Sequence, residues 1–218
     1  PELWAAAGAT FAVTAAYARL GADVPVAVRS SAPAEDAADT SFAGIHESYT
    51  NVIGADAVLR AVQACWASLW SPRARTYRGM QAVTAEPSIA VVVQTMVRSE
   101  ASGVAFTADP RTGDRERIVV EAAFGLGEVV VGGQVEPDTY VVAKDGLRIL
   151  DVHRGHQEFR ISSTDTGEDR VEVDPESAGR VLDDEALTRV AQLAVDVEAH
   201  YRCPQDLEFA FAGGALWI

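Results

Sequence analysis

The period of the apolar positions changes along the chain, and the changes separate helical blocks from strand-rich ones. Between residues 3 and 20 small apolar residues dominate, broken by Thr10, Thr14 and Tyr17, and Gly21 follows, which predicts a helix ending at that glycine. A short apolar run at 24–28 leads into Arg29-Ser30-Ser31 and predicts a buried strand. Small and polar residues across 30–47 predict a loop, and 48–53 resumes a strand pattern. The clearest periodicity lies in 55–70, where Val58, Leu59, Val62, Cys65, Trp66 and Leu69 follow the 3.6-residue spacing of an amphipathic helix. Pro72 suits the first turn of a further short helix.

Beyond residue 88 the texture changes. The β-branched run at 89–96 has no polar alternation, which predicts a strand buried on both faces. Residues 103–107, 117–122, 139–143 and 147–152 are further strands, separated by Gly and Asp clusters. A second amphipathic helix is predicted over 184–201, opened by acidic residues that complement its dipole. Residues 206–218 read as a hairpin around Ala212-Gly213-Gly214. Helices and strands fall in blocks instead of strict alternation, so the fold class is α+β.

Composition narrows the possible functions. A chain of 218 residues with 48% hydrophobic content can bury a sizeable core. Its 32 acidic against 18 basic residues argue against nucleic acid and against anionic membrane as partners. A phosphate ligand stays open, because a pocket needs only a few local cations and backbone donors. No stretch reaches the roughly 18 apolar residues needed to span a bilayer. Cys65 and Cys203 have neither metal-ligand spacing nor the number for a disulfide framework, so a reducing, cytoplasmic setting is expected.

Four segments could carry chemistry. Arg29 at the end of a buried strand offers a rigid fork of donors that suits phosphate oxygens, and the small residues after it allow close backbone approach. The same residues also fit a surface turn in which Arg29 pairs with Glu35 or Asp36. The strand through Gln94, Met96 and Val97 could present backbone groups and an apolar face to a purine, or be core packing alone. Gly125-Leu126-Gly127-Glu128 is a glycine-rich turn that lacks the Lys-Ser/Thr of a P-loop and the spacing of a dinucleotide fingerprint. In Asp206-Leu207-Glu208-Phe209-Ala210-Phe211, alternation puts both carboxylates on one face, about 7 Å apart. They could share Mg²⁺ with nucleotide phosphates, or be solvated acids on a half-exposed strand. None of the four histidines sits in a metal-spaced cluster.

Six strings, in this order, resemble the N-terminal ATP-binding domain of the phosphoenolpyruvate synthase, pyruvate phosphate dikinase and rifampin phosphotransferase family. They are VAVRSSAPAEDAADTSFAGIHESYTNV, CWASLW, VVVQTMV, ASGVAFTADPRTGDR, VVEAAFGLGEVVVGGQVEPDTYVV and PQDLEFAF, spanning roughly residues 25–212. The resemblance implies an ATP-grasp fold in which two α+β subdomains, 1–94 and 95–218, sandwich ATP. It implies that Arg29 contacts ATP phosphates and that Gly44 and Ser48 belong to a loop covering them. Gln94, Met96 and Val97 would lie along the adenine, and Asp206 and Glu208 would serve the Mg²⁺–phosphate cluster. Arg29 and Glu208 are the residues it assigns to catalysis.

The family reaction implied is transfer of a phosphoryl group from ATP to a histidine on a separate swivelling domain, and from there to pyruvate or rifampin, with AMP and phosphate released. The partners expected are therefore ATP, that phosphohistidine domain and an acceptor-binding domain. The family's Gly-Gly-Lys-Gly segment does not precede Arg29, the Leu-Gln-x-Arg continuation does not follow Trp217-Ile218, and Pro33 stands where Thr is common. The expectation is a portion truncated at both ends and inactive alone. The competing reading is a degenerate ATP-grasp module with a structural or partner-binding role.

Overall fold

The computed structural model describes residues 7–31, 36–37, 40–41, 48–72, 74–76, 88–164 and 167–218. The chain divides into two compact units, Pro1–Met96 with Asp165–Gly167, and Val97–Thr164 with Glu168–Ile218. Both mix helices and antiparallel strands, which makes the protein α+β.

The first unit runs α1 (Ala7–Ala18), β1 (Val26–Ser31), β2 (Asp36–Ala37), β3 (Thr40–Ser41), β4 (Ser48–Val52), α2 (Ala55–Ser68) and β5 (Ala90–Thr95). Its main sheet has the order β4-β1-β5, antiparallel throughout. Val26 and Val28 alternate on β1 and are fully buried against Val58, Ala61, Val62 and Cys65 of α2. Each such buried valine contributes about 1.5–3 kcal/mol. Tyr17 fastens α1 to this core: its hydroxyl donates to Val24 O at 2.8 Å and accepts Gly54 N–H at 3.0 Å.

Three expectations change here. The run at 89–96 forms an edge strand of the sheet, not one buried on both faces: Val91 and Val93 pack on the core while Val92 and Gln94 are exposed. A β-branched run has the same appearance whether one or two faces are covered, so composition alone could not separate these cases. The segment read as loop contains the paired strands β2 and β3. Trp66, placed on the apolar stripe of α2, lies at its flank and is exposed.

The second unit is built on a six-stranded antiparallel sheet. Its strands are β6 (Ala101–Phe106), β7 (Arg117–Phe124), β8 (Asp138–Ala143), β9 (Ile149–His153), β12 (Asp206–Ala212) and β13 (Ala215–Trp217), in the order β13-β12-β6-β7-β8-β9. A short helix α3 (Glu128–Val131) follows β7, and β10 (Phe159–Thr164) pairs with β11 (Gly167–Glu172). The long helix α4 (Asp184–Tyr201) is capped by Asp183, whose carboxylate accepts Ala186 N–H at 2.8 Å. Leu187, Val190, Ala191 and Ala194 of α4 join Ile118, Val120, Tyr140, Val142, Phe209 and Phe211 in one core. The β12–β13 turn is Gly213-Gly214, both at positive φ (56° and 76°), the conformation that two-residue hairpins require.

Candidate functional site

In the first unit, alternation on β1 turns Ala27 and Arg29 away from the α2 core that holds Val26 and Val28. Register then decides their neighbours. Arg29 lies opposite Ser48 on β4 and opposite Val92 on β5, while Ala27 lies opposite Gln94. Directly opposed residues in an antiparallel pair have Cβ atoms about 5 Å apart. The sheet therefore presents one face bearing a cation (Arg29), a hydroxyl (Ser48), an amide (Gln94) and an exposed apolar side chain (Val92). A bulge makes the β4 side of this face: two steps on β1 match three on β4, and Asn51 takes a positive φ of 52°.

Met96 continues the strand edge, its N–H donating to Pro25 O at 2.9 Å. Val97, half-buried, opens the second unit. Gly44 lies outside the described residues. A groove of about 640 Å³ runs along β4 and α2 past Asn51, Ala57, Arg60 and Ala64; it includes Ser48 but neither Arg29 nor Gln94, so it is a feature separate from the face just described.

In the second unit, β12 alternates strictly. Leu207, Phe209 and Phe211 point to the α4 core, and Asp206 and Glu208 are exposed on the other face. Pairing with β6 sets Asp206 beside Phe106 and Glu208 beside Val104. Following the register onward, Val104 opposes Glu121 and Glu121 opposes Thr139. Glu121 is thus a third carboxylate on the face of Glu208, two strands away, or about 10 Å. In the sequence Glu121 is an ordinary residue of the strand predicted over 117–122. Its signal was a lone acid within an otherwise apolar strand, which usually marks an open face. Among the described residues, no three His, Cys, Asp or Glu side chains converge as a metal cage. His153 and His156 each lie 3.4 Å from a glutamate, Glu136 and Glu158.

The glycine-rich turn has a structural task. Gly125 takes φ 81°, and an added Cβ there would lie 2.2 Å from Ile161 O. Its N–H donates to Glu100 O at 2.9 Å, and Leu126 N–H donates to Ile161 O at 2.8 Å. The Gly125 carbonyl accepts both Ser99 and Ser102 hydroxyls, at 2.9 and 2.6 Å. The two donors at the start of the turn are committed within the fold and are not presented to an anion.

The first unit thus presents a sheet face that bears a cation, and the second unit one that bears carboxylates. A family profile described as "Pyruvate phosphate dikinase, AMP/ATP-binding domain" matches residues 9–218. The chain belongs to this family. Among relatives of this AMP/ATP-binding domain is a probable phosphoenolpyruvate synthase of Archaeoglobus fulgidus, 48% identical over 200 residues that cover 91% of this chain and 26% of that protein. The phosphoenolpyruvate synthase of Pyrococcus furiosus is 44% identical over 207 residues, covering 90% of this chain and 25% of its own. A rifampicin phosphotransferase of Streptomyces sp is 44% identical over 200 residues, covering 91% and 23%. The chain spans about a quarter of the length of these relatives. The family is one of nucleotide-binding domains in ATP-dependent phosphotransferases. No helix among the described residues is long and apolar enough to cross a membrane.

Proposed function

We propose that this AMP/ATP-binding domain has the ATP-grasp arrangement and serves a dikinase-type phosphotransfer. ATP would be taken with its phosphates toward Arg29 and Ser48, its adenine along Gln94, Met96 and Val97, and its metal-bound phosphates toward Asp206 and Glu208. The observation that carries this reading is register. Arg29 faces Ser48 across β1–β4, and Asp206 and Glu208 share the exposed face of β12. Gly44, in the segment outside the described residues, belongs to the same reading as part of a phosphate-covering loop.

The donor set fits Mg²⁺. Two carboxylates on one strand face leave most octahedral positions for phosphate oxygens and water, as this ion prefers. When bound, Mg²⁺ neutralises phosphate charge and orients the reacting phosphoryl group. The chain's own residues then act by placement: Arg29 holds phosphate oxygens through its planar fork, and the β5 edge fixes the base. One phosphoryl group passes from ATP to a histidine nitrogen on a swivelling domain of a longer polypeptide, water takes the second, and AMP leaves. The phosphohistidine then serves pyruvate or rifampin on an acceptor-binding domain. His153 and His156, each beside a glutamate in the second unit, are not the carrier. A cytoplasmic setting belongs to the same reading and is supported by Cys65 and Cys203 being free thiols.

Isothermal titration of the chain with Mg-ATP tests the binding half, with saturable binding expected and its loss in Glu208→Ala. Complete phosphotransfer to pyruvate or rifampin by the isolated chain would overturn the need for separate carrier and acceptor domains.

A further inference from the structure

The β12 strand begins where few backbone groups are available to hold it. Arg202 leaves α4 in the left-handed region at φ 61°, Cys203 is exposed, and Pro204 has no N–H to donate. Gln205 is therefore the first residue after Cys203 whose N–H can tether the strand, and Asp206 follows at once. Both backbone groups of Gln205 go to one residue, Thr107, just past the end of β6. The Thr107 hydroxyl accepts Gln205 N–H at 2.7 Å, and Thr107 N–H donates to Gln205 O at 2.9 Å. The side-chain oxygen of Thr107 occupies the place a strand carbonyl would take, extending the β6–β12 ladder one step beyond the Asp206–Phe106 pair.

Thr107 has no exposed surface, although its chain neighbours Phe106 and Ala108 are only half-buried. The loop beyond it closes on itself: Asp109 N–H donates to Asp114 O at 2.9 Å and the Asp109 carboxylate accepts Arg111 N–H at 2.8 Å.

We infer that Thr107 is a positioning residue for the Asp206 carboxylate, and through it for the divalent cation that accompanies the nucleotide. The inference rests on the proposed role of Asp206 and Glu208. Mg²⁺ demands near-ideal octahedral geometry, and a site displaced by about 1 Å loses much of its function. Glu208 is held inside the ladder between β6 partners, whereas Asp206 stands at its first rung and depends on the Thr107–Gln205 bond to define where it points.

The test compares the full chain with its Thr107→Ser, Thr107→Ala and Thr107→Val variants and with Glu208→Ala. ATP binding is titrated in Mg²⁺ and in EDTA, and thermal unfolding is recorded for each protein. Ser keeps the hydroxyl, so it is expected to match the parent chain within about twofold. Ala and Val remove it and are expected to weaken ATP binding in Mg²⁺ by about tenfold, the size of one lost hydrogen bond, with affinity in EDTA unchanged. The Ser–Ala comparison keeps the test decisive if Val disturbs folding, because those two differ only in the hydroxyl oxygen. Should Ala and Ser bind Mg-ATP alike while Glu208→Ala loses it, the positioning role falls and the metal face stands. If the parent chain shows no Mg²⁺-dependent gain, or Glu208→Ala retains it, the metal face itself is overturned, and the role of Thr107 with it.

Discussion

The Tyr140 hydroxyl donates to Asp138 Oδ2 at 2.9 Å and accepts Leu182 N–H at 3.0 Å, so two core-facing residues of β8 hold the chain entering α4. Asp138 accepts two further donors, Val181 N–H at 2.8 Å and Gly155 N–H at 2.9 Å. Tyr140→Phe leaves Leu182 N–H buried without an acceptor and is expected to cost about 1–3 kcal/mol. Asp138→Ala strands three donors at once and is expected to cost about 3–5 kcal/mol. Urea unfolding of both, and of the double variant, checks this; because the residues share one network, the double loss should fall short of the sum.

The same pair predicts an alkaline limit. Burial, aided by the neighbouring Asp138 charge and opposed by the Leu182 N–H, holds the Tyr140 hydroxyl well above the usual tyrosine range. The folded state thus keeps a proton that the unfolded chain releases near pH 10. The stability this represents is complete below about pH 10 and is lost as pH rises from there toward the folded value. Denaturant midpoints should be level between about pH 8 and 9 and fall above about pH 10, and Tyr140→Phe should lack that component of the fall. An equal decline in the variant would remove Tyr140 as its cause.

Gly103 and Gly213 separate two reasons for a glycine. A Cβ on Gly103 would stand 2.0 Å from Glu121 O, backbone against backbone in the β6–β7 pair. Gly103→Ala is therefore expected to cost roughly 3 kcal/mol or more. Gly213 has φ 56° with nothing within 4 Å of the added Cβ, so Gly213→Ala meets only the left-handed penalty, about 1–2 kcal/mol. Thermal or urea unfolding of the two variants side by side measures the difference, and equal losses would refute the close-approach argument.

What the sequence disclosed follows from where the pattern has one physical cause. The helix over residues 184–201 was legible to the residue, because an acidic cap and a single 3.6-period stripe agree. The β12 face was legible because alternation in Asp206–Phe211 admits one inward set. Strands β10 and β11 carry no such pattern: their residues are largely polar, half-buried in β10 and mostly exposed in β11, leaving no apolar period to detect. Pairings across the chain were invisible to local patterns. Nothing in the string sets Ser48 against Arg29, puts Glu121 in line with Glu208, or gives Gln205 to Thr107, since each depends on sheet register. The family resemblance singled out Arg29, Ser48 and Glu208 by kinship; it said nothing of their spacing.

Arg29 and Glu208 should fail in different ways, and that difference tests their proposed division of labour. Arg29 is exposed on a face whose reverse carries the core, so replacing it leaves Val26 and Val28 packed and the fold intact. Arg29→Lys keeps the charge but loses the planar fork that matches phosphate oxygens, and about a tenfold loss of ATP affinity is expected. Because the fork meets phosphate directly, the loss should appear in EDTA as well as in Mg²⁺. Glu208→Gln removes a metal ligand while keeping size and strand propensity, so its loss should appear only when Mg²⁺ is present. Thermal unfolding of both variants, recorded alongside, checks that the fold is kept. Titration under the two ionic conditions separates these outcomes. If Arg29→Lys binds as the parent chain does in both, Arg29 is a surface strand residue, and the phosphates must be held elsewhere.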